Sequence, residues 1–149
     1  MDWLEDLERE LHFKNQERSH RDEIQHTRLL ALQEQGPLFL NDLKRLLRSA
    51  VERPAFKNIL LDDATERSVA VRSSESRPII KVSAHLSTTC LIMTVATCPS
   101  AAVPYVDTAN HRIEFGLDVN GKLSLCMECE AVTLDDIAKL MLRHVLGLA

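Results

Sequence analysis

The chain has 149 residues, a formal charge of -4, and 45% hydrophobic but only 4% aromatic side chains, which suits one domain with an aliphatic core. Residues 1–53 hold 9 basic and 11 acidic side chains and residues 54–149 hold the same numbers, 18 and 22 in all. Neither half is a polycation, so the composition excludes a nucleic-acid interface driven by phosphate contacts.

The N-terminus, Met1-Asp2-Trp3-Leu4-Glu5-Asp6, is acidic and amphipathic where a secretory leader would be basic and then apolar. With four cysteines and no leader, the expectation is reduced thiols and a cytoplasmic location. Residues 2–34 read as a helix of uneven character. Trp3, Leu4, Leu7 and Leu11 recur at helical spacing, Ile24, Leu29, Leu30 and Leu32 resume the apolar pattern, and the stretch from Lys14 to Glu23 has nothing to bury. Two readings fit: an ordinary surface helix with mixed charges, or a protruding arm, residues 1–35, whose Trp3, Leu7 and Leu11 dock on a partner or a second copy.

Gly36-Pro37 is expected to end that helix and start another, since proline suits a first helical position. From Leu38 to Glu52 a wide stripe of Phe39, Leu40, Leu43, Leu46, Leu47, Ala50 and Val51 predicts a core-facing helix that Pro54 stops. Asp42 and Glu52 speak against a membrane-surface role for it. The segment from Leu86 to Val106 carries no charge, but its threonines, serines and prolines are too many for a spanning helix. No membrane partner is expected.

Beyond Pro54 the period falls to two. Strands are predicted at Phe56 to Leu61, Arg67 to Arg72, Ile79 to Leu86 and Thr89 to Thr97, with a polar loop at Ser73 to Arg77. The fourth strand is apolar on both faces and therefore central. An even-numbered loop near Ser87-Thr88 would pair Ala84 with Leu91, Val82 with Met93 and Ile80 with Val95. From Cys98 to Asn110 the periodicity is lost, and Ala101, Ala102, Val103, Tyr105 and Val106 predict an apolar link packed on the sheet or on a neighbour.

The most explicit stretch is Asn110 to Glu130, two alternating runs around Asp118 to Lys122. A two-residue Asn120-Gly121 turn would set apolar side chains against polar ones across the strands. A three-residue loop, Val119-Asn120-Gly121, with Gly121 left-handed in a bulge, pairs Asp118 with Lys122, and then Leu117 meets Leu123, Phe115 meets Leu125 and Ile113 meets Met127. The other face becomes Gly116 with Ser124, Glu114 with Cys126 and Arg112 with Glu128. The chain closes with a helix capped by Thr133, with Asp135 and Asp136 in its first turn, an apolar stripe through Ile137, Leu140, Met141, His144 and Leu148, and Gly147 as its stop.

Cys126-Met127-Glu128-Cys129 has redox and zinc spacing, but in a strand residues three apart point to opposite faces. Cys129 is then expected in the core and Cys126 on the polar face, with no metal and no cofactor. His12, His20 and His26 lack metal-binding spacing, His144 reads as a satisfied core histidine, and no nucleophile elbow can be written. The polar sheet face, with His85, Arg112, Glu114 and Glu128, is the place where a small molecule or an anion could bind.

These observations predict an α+β fold: two N-terminal helices, about six antiparallel strands in one domain over residues 36–149, and a C-terminal helix packed on the apolar sheet face. The element order resembles, at fold level, small acidic bacterial secretion chaperones, which are dimers that hold extended client segments. The helix usual between their strands is replaced here by the Pro-containing link. The expected function is a non-enzymatic protein-interaction module, adaptor or chaperone-like and homodimeric, binding through the N-terminal arm, the last helix or a strand edge. The alternative is a small-molecule or anion-binding protein, or an enzyme, using the polar sheet face.

Overall fold

A computed structural model describes residues 2–74, 79–99 and 104–149. Helix α1 runs from Asp2 to Val51, and a 3-10 turn at Pro54–Phe56 leads into the sheet. The strands are β1 (Ile59–Asp62), β2 (Ser68–Ser73), β3 (Ile79–Leu86), β4 (Cys90–Cys98), β5 (Val106–Leu117), β6 (Leu123–Met127) and β7 (Glu130–Val132), followed by α2 (Leu134–Val145). Each strand pairs antiparallel with the next in sequence, so the sheet is a seven-stranded meander with β4 at its centre. The architecture is α+β.

One sheet face is covered and the other is not. Val69, Val71, Val82, Ala84, Leu86, Leu91, Met93, Ile113 and Phe115 are buried beneath α1 and α2. From α1 they meet Leu32, Phe39, Leu40, Leu43 and Leu47, and from α2 they meet Ile137, Ala138, Met141 and Val145. Phe39 packs edge-on to Phe115, with ring centroids 5.8 Å apart.

The expected break at Gly36-Pro37 is absent, and one helix replaces two. A proline inside a helix removes a hydrogen bond and normally clashes with the residue before it. Here the preceding residue has no Cβ, and tertiary packing compensates. Gly36 lies so close to the sheet that an added Cβ would sit 3.3 Å from a Leu86 methyl and 3.7 Å from the Phe115 ring. The Gln35 side chain then joins the helix to the β5–β6 hairpin. Its Nε2 donates to the Gly121 carbonyl at 2.8 Å, and its Oε1 accepts the Leu123 N–H at 2.6 Å. Further along, the Lys44 ammonium donates to the Thr65 carbonyl and Arg48 pairs with Asp63, whose carboxyl it holds below the usual range.

The β5–β6 hairpin has the register expected for Ile113 with Met127, Phe115 with Leu125 and Leu117 with Leu123. The Asp118 N–H donates to the Lys122 carbonyl at 2.8 Å, and Gly121 has φ +75°, as the bulged three-residue loop requires. β3 and β4 are slipped by two residues from the expected pairing, with Val82 opposite Val95 and Ala84 opposite Met93. A two-residue slip preserves both faces, so burial does not discriminate the two registers; the turn does, closing through the Ser87 N–H to the Cys90 carbonyl.

Two expected spans are also corrected. β5 begins at Val106, inside the expected link, because the register shift between Val95 and Ala96 of β4 hides its alternation in a bulge. The last strand divides at Glu128 and Cys129, which turn with φ of 52° and 67° and start β7. Non-glycine residues rarely adopt that conformation, and nothing in their identity announces it. The expected packing of Ala101, Ala102 and Val103, and residues 75–77 of the expected polar loop at Ser73 to Arg77, lie outside the described residues.

α2 starts with a reciprocal capping box. The Thr133 side chain accepts the Asp136 N–H, and the Asp136 carboxylate accepts the Thr133 N–H. The helix ends at Val145, and Gly147, φ +72°, closes it with Leu148 N–H to Arg143 carbonyl and Gly147 N–H to His144 carbonyl bonds. Replacing Gln35 with alanine leaves a half-buried Leu123 N–H without its acceptor; urea denaturation is expected to show a loss of about 1–3 kcal/mol, and Gln35→Glu, which keeps the acceptor, is expected to lose less.

Candidate functional site

Helix α1 has two different halves. Every residue from Asp2 to Leu30 is exposed, and burial begins at Leu32. The exposed part is about 44 Å long at 1.5 Å per residue. Trp3, Leu7 and Leu11 stand at its far end, 63%, 57% and 59% exposed, and Leu4 lies beside them. At about 100° per residue these four fall within an arc of about 100°. Phe39, Leu40, Leu43 and Leu47 occupy the same arc of the same helix and lie buried on the sheet. Between the two apolar sets this face carries Lys14, Arg18 and Arg21, all exposed, and a second flank carries Phe13 and Ile24, 63% and 55% exposed.

Beside the root of the arm lies an apolar groove. Gln35, Leu38, Phe39 and Asp42 of α1 form one wall, Leu123, Leu125 and Val132 belong to the β6–β7 end of the covered sheet face, and Thr133-Leu134 closes the end. Its volume is about 530 Å³. Leu38, 63% exposed, projects at its margin.

Helix α2 is apolar but turned inward. Its apolar side chains Ile137, Ala138, Met141 and Val145 are buried on its own sheet, so the helix does not need a second subunit to cover that stripe. Leu146 and Leu148, just past its end, remain exposed.

The four residues expected on the polar sheet face do not form one cluster. His85 is opposite Ile92, and Ile92 is opposite Arg112, which sets the imidazole and guanidinium two strands, or about 10 Å, apart. Arg112 Nε donates to Glu114 Oε1 at 2.6 Å along its own strand. The expected Arg112–Glu128 pair is not made, because β6 ends at Met127 and Glu128 stands in the turn. Glu114 faces Cys90 on one side and Cys126 on the other.

Cys129 also departs from expectation: it is exposed in the β6–β7 turn rather than buried, and Cys126 is half-buried. The turn, not strand alternation, decides its position. Among the described residues there is no disulfide, and no group of three or more His, Cys, Asp or Glu side chains could hold a metal ion. No helix among them is long and apolar enough to cross a membrane.

Two constellations escaped the sequence reading. Lys81 Nζ lies 5.8 Å from the centre of the Tyr105 ring, at a cleft of about 460 Å³ shared with Leu60, Asp62, Ala70 and Arg72. The other joins the sheet to α2. His111 Nε2 and His144 Nε2 are 3.1 Å apart, so one ring donates and the other accepts, and both cannot be protonated comfortably. His144 is half-buried rather than in the core, where it was expected, and its partner on β5 could not be read from spacing. Burial, and next the His111 charge, push the His144 pKa below its ordinary value.

Compared with protein-family models, curated proteins and solved structures, the chain matches none.

The histidine pair gives stability a pH dependence. The folded chain binds a proton at His144 less readily than the unfolded chain, which protonates it near its ordinary value of about 6.5. The unfolded state therefore binds more protons in the window just below that value, and stability falls as pH drops through it. Urea melts at neutral pH and at about pH 5.5 should show a decline on acidification that is smaller in His144→Gln. An equal decline in wild type and variant would assign it to other groups.

Proposed function

We propose that this chain is a non-enzymatic protein-interaction module, adaptor or chaperone-like, which binds through its helical arm to a second copy or to a different protein. The observation that carries this reading is the run of exposed residues from Asp2 to Leu30 with Trp3, Leu4, Leu7 and Leu11 gathered on one face at its tip. Gln25, Arg28 and Leu29 still border the sheet beside Thr89, Glu114 and Phe115, but the tip lies far beyond them and has no core of its own to pack on, and isolated helices owe little to propensity alone. Large apolar side chains clustered on such a helix gain burial only against another molecule, and helix-in-groove recognition uses anchors at this spacing.

The rest of the chain supports the assignment. The body supplies a stiff base, tied to α1 through Gln35, Lys44 and Arg48. The exposed arm has the extra length that packing on the body does not use. On the other side of the ledger, the residues best suited to acid–base chemistry are spread over separate strands and a turn.

The test compares wild type with Trp3→Ser/Leu7→Ser/Leu11→Ser, whose substitutions lie in exposed positions and leave the body intact. Both proteins are immobilised, challenged with lysate of the native host and with the purified chain, and retained proteins are compared after matched washing. Retention that depends on the three side chains supports the reading, with an expected loss of at least about tenfold. Identical retention by both proteins, self-association included, rules it out.

A further inference from the structure

The tip of the arm repeats the segment that the chain itself buries. Trp3-Leu4-Glu5-Asp6-Leu7-Glu8-Arg9-Glu10-Leu11 aligns without a gap on Phe39-Leu40-Asn41-Asp42-Leu43-Lys44-Arg45-Leu46-Leu47, with five of nine residues identical and an aromatic ring at the head of each. Both lie in one continuous helix, 36 residues apart, which is about ten turns, so equivalent side chains share one azimuth. The same ion pair recurs: Asp6–Arg9 at 3.9 Å and Asp42–Arg45 at 3.6 Å.

Their fates differ completely. Leu40, Leu43 and Leu47 are 0% exposed, while Leu4, Leu7 and Leu11 are 43%, 57% and 59% exposed. The tip thus carries a side-chain set fitted to the apolar face of this sheet, and it stands where it cannot reach that face. Leu7 is about 54 Å from Leu43 along the helix. Its acceptor must be in another molecule. The groove between α1, the β6–β7 end and Leu134 is an open part of that same apolar face, continuous with the interface that Phe39 already occupies.

We propose that the arm tip of one chain lies in this groove on a second copy, and that two chains exchange tips with their arms antiparallel. The inference rests on the reading of the arm as a binding element and names its partner. Reciprocal exchange fills both tips and both grooves, giving a closed two-fold dimer.

The geometry of such a pair accounts for residues that the tip alone leaves unexplained. Leu38 and Asp42 line the groove from one flank of α1, and at about 100° per residue Phe13, Glu17, Ile24 and Arg28 continue that flank along the arm. Setting Leu7 beside Leu38 of the second copy puts the two-fold axis between positions 22 and 23. Ile24 then meets its own counterpart near the axis, and Glu17 stands level with Arg28 of the second copy, twice over. Neither Glu17 nor Arg28 has an ion-pair partner among the described residues, although Arg28 borders a cavity of its own chain with Glu114 and Phe115 and its Nη2 comes within 3.7 Å of where a Gly116 Cβ would lie. Asp42, at the groove, is already neutralised by Arg45.

The experiment is sedimentation velocity of the full chain across a micromolar to near-millimolar series, with variants confined to exposed positions. Wild type is expected to dimerise. Leu38→Glu and Leu7→Glu should each raise the dissociation constant at least about tenfold. Glu17→Arg and Arg28→Glu should each weaken the dimer, and the double variant Glu17→Arg/Arg28→Glu should recover most of the loss, since exchange of the two charges restores the pair. A monomer at every concentration overturns the inference. A dimer that is indifferent to Leu38→Glu, or a double variant that sums the two losses, overturns it as well. The reading of the arm as a binding element fails separately, when Trp3, Leu7 and Leu11 make no difference to retention of any protein; arm-dependent capture by a strictly monomeric chain would leave that reading standing and sink this one.

Discussion

The sealing of one sheet face by the C-terminal half of α1 is the contact on which the rest of the molecule depends. Leu32, Phe39, Leu40, Leu43 and Leu47 bury the aliphatic surface of the central strands, and Gly36 allows the helix to come close enough to do so. Because the helix does not break at Pro37, its seat on the sheet also sets the direction of everything before it. The arm is therefore not a tether swinging from the domain. It is the outward continuation of a core element, and its azimuth is inherited from side chains some 30 residues downstream.

That inheritance gives physical content to the pairing of tip and groove. A stripe at the tip that shared nothing with the core-facing stripe would present its apolar side chains in an arbitrary direction. Here the two stripes coincide, and the open end of the sheet face lies against the same helix. Burial on such a surface has a driving force proportional to the apolar area removed from water. The flank charges would then settle alignment rather than affinity.

Much of this was legible in the residues, and the exceptions have identifiable causes. Period-two alternation located the strands, and β4 declared itself central by being apolar on both faces. The Asp118 to Lys122 hairpin was resolved to its register because a one-residue error would have inverted every side chain, whereas the two-residue slip of β3 on β4 was invisible to the same test. Gly36-Pro37 misled because local stereochemistry was outweighed by packing on Leu86 and Phe115 and by the two hydrogen bonds of Gln35. Glu128 and Cys129 misled because a left-handed turn was built from residues that do not advertise one. At the level of sites, the exposed tip was read from spacing, but His111 with His144 and Lys81 with Tyr105 join residues 33 and 24 positions apart, and only the fold brings them together.

The meander also dictates an order of events when the chain is made. Every strand finds its neighbour a few residues on, so the sheet can zip locally with short loops to close. The helix that covers it comes first in sequence, and the Gln35 contact with the hairpin spans 86 positions. During synthesis, then, the greasy stripe of α1 leaves the ribosome well before its sheet exists and must wait uncovered for more than half the chain. The nascent polypeptide spends that interval with the apolar face of its first helix open to water.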